Sequence, residues 1–127
     1  MVLVANVQCA LAFVVTPDDY TGGFQVAGLA GATMVRSLGI LFFMWNVPYA
    51  VATWHPRRHR ISLLEAIAMQ TIGLAGELLM MWRLPDVGYE ALRATGQRFA
   101  RFDAAGLALL VAALACVALG DRASPQR

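Results

Sequence analysis

Arg36, Asn46, Gln70 and Glu77 stand inside long apolar runs, and their side-chain types set the chemistry available there. Charged groups placed in hydrocarbon face a bundle interior and pair with one another, because leaving them alone costs several kcal/mol. Arg36 with Glu77 offers an ion pair, with a proton relay or a headgroup site as its functional alternatives. Asn46 with Gln70 offers an amide hydrogen bond near the middle of an apolar layer. Pro48 lacks an amide hydrogen, so the carbonyl of Met44 is left to a polar neighbour or to water. No nucleophile accompanies these groups: GxSxG, HExxH, phosphate-loop and haem-attachment motifs are absent. His55 and His59 have an i,i+4 spacing that suits a metal only on a helix. Pro56 and the surrounding Arg57, Arg58 and Arg60 argue against that, so no metal site is expected. Cys9 and Cys116 lie in apolar runs without CxxC or CxxH spacing and read as small core residues.

Holding such groups requires elements that span an apolar layer. Of 127 residues 59% are hydrophobic and 14% charged, with mean hydropathy +0.60. That apolar share exceeds the roughly 45–50% of a soluble domain and points to a membrane protein. A crossing of about 30 Å takes about 20 helical residues, so four crossings use most of the chain. The apolar runs place spans at about 2–16, 30–54, 61–82 and 103–120, in a single domain over 1–120 with a polar tail over 121–127. The first is short, but it has no basic n-region and so reads as a helix rather than a signal peptide. The "TPDDYTGG" stretch is a loop. Asp86 to Arg101 sets Leu92, Phe99 and Phe102 against Arg93, Gln97, Arg98 and Arg101, an amphipathic segment that lies in the interface or leads into the last span. The fold class expected is all-α, an integral membrane antiparallel four-helix bundle.

If the second and third spans form an antiparallel hairpin about the His55–Arg60 connection, residues at equal depth have numbers adding to about 115. This sets Arg36 level with Glu77, Asn46 with Gln70, and Ala50 with Glu65, so each polar group finds a partner across the hairpin. Gly73 and Gly76 share the stripe of Gln70 and Glu77. Ser62 and Glu65 have capping-box spacing at the start of the third span. On the last span Ala104, Ala108, Ala112, Cys116 and Gly120 recur every four residues, a small-residue stripe that reads as its contact face. Arg57, Arg58 and Arg60, with Arg122 and Arg127, outweigh Arg83, Arg93, Arg98 and Arg101 on the opposite side, which puts both termini in the cytoplasm. The loop arginines also suit anionic lipid headgroups. Trp54 and Trp82 mark span boundaries.

A short first span, the "TPDDY" turn, a Gly-containing stretch and "MVRSLGILFFMW" with its Arg36-x-x-Gly39 together resemble the small four-helix membrane proteins of the DoxX-like group over residues 1 to 80. The resemblance implies a four-span antiparallel bundle, with some members linked to quinone-coupled sulfur oxidation or membrane redox complexes. The WHPRRHR loop and Asn46-x-Pro48 depart from the pattern, and no catalytic residue carries over. Two functional classes follow. The first is a non-catalytic accessory or scaffold subunit, or a lipid-binding module, in which the Ala104–Gly120 stripe meets a membrane partner or a second copy. The second is a small enzyme or carrier for a quinone or lipid-like substrate centred on Arg36, Asn46, Gln70 and Glu77. No cofactor is required, although a quinone or lipid fits. The net charge of +2 gives no basis for nucleic-acid binding. Basic residues that are all Arg suggest a GC-rich genome, hence a prokaryotic inner membrane.

Overall fold

Long Leu, Ala, Val and Met runs favour helix, and each run stops where a proline or glycine removes a hydrogen bond or demands an unusual backbone angle. The computed structural model describes residues 1–122. Arg127 and the rest of the expected tail beyond Arg122 lie outside the described residues. The elements are α1 (Val2–Val15), α2 (Asp18–Thr21) with a following 3-10 turn (Gly22–Phe24), α3 (Gly28–Trp54), α4 (Arg60–Arg83) and α5 (Glu90–Arg122). All elements among the described residues are helical.

Pro17, Pro56 and Pro85 stand just beyond the ends of α1, α3 and α4, where the residue before a proline is pushed out of helical geometry. The 3-10 turn ends at Gln25, in the left-handed region at φ 52°. Two hydrogen bonds hold Gln25 there: its Nε2 donates to the Gly88 carbonyl at 2.8 Å, and its Oε1 accepts from the Leu92 amide at 3.1 Å. The loop after α1 is thereby fastened to the start of α5.

Three helices, α3, α4 and α5, are long and apolar enough to cross a membrane. At 14 residues α1 rises only about 21 Å. It reaches a fourth span only together with the segment to Phe24, from which it is bent by 106°. The last helix begins at Glu90, not Asp103. Gly88, at φ 87°, turns the chain, and its amide donates to the Glu90 carboxylate at 3.0 Å. The Arg93 guanidinium then reaches back to the carbonyls of Leu84 at 3.0 Å and Pro85 at 3.1 Å, satisfying acceptors at the end of α4. The amphipathic segment is therefore the first part of α5. At the other end of α4, His59 is the N-cap and no side chain caps the helix. Ser62 and Glu65 make no capping box, because the helix starts at Arg60, before Ser62 can act as its cap.

Consecutive long helices run antiparallel, but not with equal intimacy. α3 packs most closely on α1, and α4 on α5, whereas the contact between α3 and α4 is smaller. Gly39 lets α1 and α3 touch backbone to side chain: a Cβ there would lie 2.8 Å from the Ala10 carbonyl oxygen and 2.9 Å from the Phe13 Cβ. Phe13 anchors an aromatic cluster, with ring centroids 5.8 Å from Phe42 and 6.2 Å from Phe99. The helix pairs are closed at one end by Asp121, which pairs with Arg60 and lies 4.0 Å from Arg57. The α3–α4 loop and the end of α5 share this end, while the start of α1 lies beside Gly106 at the middle of α5. α5 turns Thr95, Gly96, Ala100, Gly106 and Val117 inward, while Ala104, Ala108, Ala112 and Cys116 face out. Apart from Gly120, which lies against the Arg57 guanidinium, the small-residue stripe is thus not the face by which α5 joins its own bundle. Gly106 serves that role instead, close against Gln70.

Candidate functional site

Where α3 and α4 approach each other, Tyr49 and Gln70 meet. The Tyr49 hydroxyl donates to Gln70 Oε1 and lies 3.1 Å from the Ala66 carbonyl, in the register expected of the hairpin. Gln70 Nε2 donates in turn to Asp103 Oδ1 at 2.8 Å. This chain of hydrogen bonds ties three helices together at a level where Gln70 is only 4% exposed. Its geometry depends on two glycines. A Cβ on Gly73 would stand 2.6 Å from Asp103 Oδ2, and one on Gly106 would stand 2.8 Å from Gln70 Nε2. Both leave space that the polar side chains occupy.

Beside this chain a cavity of about 1120 Å³ lies between the α1–α3 and α4–α5 pairs. Its wall is largely apolar, with Phe42, Trp45, Phe99, Phe102, Met80 and Met81 prominent. Asn46, Gln70, Asp103 and Glu77 supply a polar strip, and Arg83 and Arg98 stand toward the α4–α5 turn. Trp45, Ile72 and Met80 are exposed, so the cavity opens sideways between α3 and α4. The Arg98 guanidinium donates to Thr95 Oγ1 at 3.2 Å.

Asn46 is 6% exposed. Its Nδ2 donates to the Phe42 carbonyl at 2.7 Å, and its Oδ1 has no partner, alone in this among buried side-chain atoms of the described residues. The amide cannot be turned over, since a carbonyl only accepts and the atom facing Phe42 must be the NH₂.

The structure brings Asn46, Gln70 and Glu77 to one cavity but not into the expected pairs. Gln70 bonds Tyr49 and Asp103 rather than Asn46. Arg36 and Glu77 form no ion pair: Arg36 is exposed and its Nε donates to the Val14 carbonyl at 3.2 Å, which caps the end of α1. The reason is the smaller α3–α4 contact. With α3 laid against α1, Arg36 meets the open carbonyls of α1 before it can reach α4. Arg57 and Arg58, with His55, Pro56, Cys116 and Val117, border a second hollow of about 550 Å³ at the loop end, and Arg60 is engaged by Asp121. Among the described residues no three His, Cys, Asp or Glu side chains converge as metal ligands.

Tyr49 and Asp103 are the site residues that sequence reasoning missed. Tyr49 is one turn beyond Asn46 and carries a hydroxyl that seeks a partner when buried. Asp103 is an acid flanked by apolar residues in "RFDAAGLALL". Comparison with family models, curated proteins and solved structures finds no match.

Proposed function

We propose that the chain is a multi-pass membrane protein whose bundle binds one apolar, lipid-like molecule between its two helix pairs. The cavity of about 1120 Å³ carries this reading, because it joins a broad apolar wall to a short polar strip. Binding sites for small apolar ligands have this composition and lie between the helices of bundles. The membrane setting is supported by exposed Ile72, Leu78, Leu109, Val111 and Leu119 around the outside, more apolar surface than water tolerates in a monomer. Trp54 and Trp82, 80% and 79% exposed at the ends of α3 and α4, suit the headgroup level. The sideways mouth then faces the acyl chains, the route by which a lipid, quinone or other isoprenoid enters. Arg57, Arg58 and Arg60 in the α3–α4 loop support a cytoplasmic placement of that end. The Arg-only basic residues support, as an element of this reading, a prokaryotic inner membrane.

No group on the polar strip is poised as a nucleophile, so the reading favours a binding or accessory role over catalysis; a carrier or enzyme acting on such a ligand is the alternative. The outward Ala104, Ala108, Ala112 and Cys116 stripe favours, as a second element, association with a membrane partner or another copy. Native mass spectrometry of the protein released gently from its membrane tests both. A discrete apolar ligand retained by a single chain is expected. A chain that retains no ligand and binds none when re-exposed to its membrane lipids would remove the cavity reading, whereas a stoichiometric protein partner would assign the stripe.

A further inference from the structure

We infer that the molecule bound in the cavity is recognised through a hydroxyl group that donates a hydrogen bond to Asn46 Oδ1. The inference rests on the binding reading above and names the head of its ligand. Asn46 is more than nine-tenths buried, forms part of the cavity wall, and leaves one atom unpartnered. That atom is an acceptor, fixed as such by the bond from Nδ2 to the Phe42 carbonyl. A buried acceptor without a donor is costly, and a ligand that brings the donor recovers that cost on binding. Beside Asn46 the Tyr49 hydroxyl is engaged by Gln70, and one N–H of the Gln70 amide by Asp103. A head made only of carbonyl or ether oxygens would leave Asn46 Oδ1 without a donor. A hydroxyl on an apolar body, as in a phenol, a quinol or a long-chain alcohol, satisfies Asn46 and leaves the body to the aromatic and methionine wall.

The test is a competition read by native mass spectrometry. The protein in detergent is offered an equimolar mixture of 4-dodecylphenol and its methyl ether, which share a body and differ in the donor. Sites built to bond a hydroxyl reject analogues that lack it, so the phenol should be retained over the ether by about tenfold or more. In Asn46→Leu the preference should fall to near unity while binding of the ether persists, which also shows that the variant is folded. Asn46→Gln is the second variant, keeping both an amide donor and an acceptor, and the preference with them. Equal retention of phenol and ether by the natural chain overturns the hydroxyl assignment and leaves the cavity reading standing. Retention of neither overturns both.

Discussion

The hydrogen bond from Gln70 to Asp103 can be weighed by a double-mutant cycle with Gln70→Leu and Asp103→Leu. Gln70→Leu removes two bonds, the one accepted from Tyr49 and the one donated to Asp103 at 2.8 Å. Side-chain hydrogen bonds inside membrane bundles average about 0.6 kcal/mol and reach about 1.7 kcal/mol, so these two contribute roughly 1–3 kcal/mol. The same substitution strands the Asp103 carboxyl in apolar surroundings, which adds about 1–3 kcal/mol. A loss of about 2–6 kcal/mol is expected for Gln70→Leu. Asp103→Leu forfeits one bond and also removes the carboxyl, and a leucine there abuts Gly73, which leaves room for it. The substitution also leaves the buried Gln70 amide without its acceptor, so its cost should be about 2–5 kcal/mol. In the double variant nothing polar is stranded, so it should be more stable than Gln70→Leu alone, with a coupling energy of about 2 kcal/mol or more. Reversible unfolding by sodium dodecyl sulfate in mixed micelles, followed by circular dichroism, gives the four stabilities. Additivity to within about 0.5 kcal/mol would refute the bond as a working tie between α4 and α5.

Three further outcomes follow from other contacts. Gly39→Leu should part α1 from α3 and cost roughly 1–3 kcal/mol in the same unfolding assay, because even a Cβ would lie 2.8 Å from the Ala10 carbonyl oxygen. Gln25→Ala should leave the bundle folded but free the loop from α5, seen as faster amide exchange at Leu92, whose N–H is held at 3.1 Å by the Gln25 side chain. Asp121→Asn should change stability by no more than about 1 kcal/mol, since its pairs with Arg57 and Arg60 are solvent-facing, and that difference should vanish at high salt.

The helical class and three apolar helices were legible from hydropathy alone, since runs of twenty-odd apolar residues have few other solutions. The register between α3 and α4 was legible too, and Tyr49 meets Ala66 where it places them. Partner choice was not. Hydropathy counts tyrosine as apolar, so the hydroxyl that claims Gln70 was invisible and Asn46 was given the bond instead. Asp103 looked like the start of a helix because the residues before it are rich in arginine, yet Arg93 caps α4 and lets the helix begin at Glu90. Arg36 was matched by depth to Glu77, but depth says nothing of lateral order, and α3 leans on α1. The outward turn of the Ala104 to Cys116 stripe has the same origin: a small-residue repeat shows that close approach is feasible, not which neighbour makes it.

At 33 residues α5 is about 50 Å long, well beyond the roughly 30 Å of hydrocarbon it would cross. It is therefore a lever as much as a span. Its midpoint is Gly106, where the helix comes closest to Gln70, and its two ends are gripped separately, by Gln25 near Leu92 and by Arg60 at Asp121. Tilting such a rod by about 10° around that fulcrum moves each end by about 4 Å in opposite directions. Anything that wedges the two helix pairs apart beside the fulcrum would thus be felt at both ends of the bundle at once.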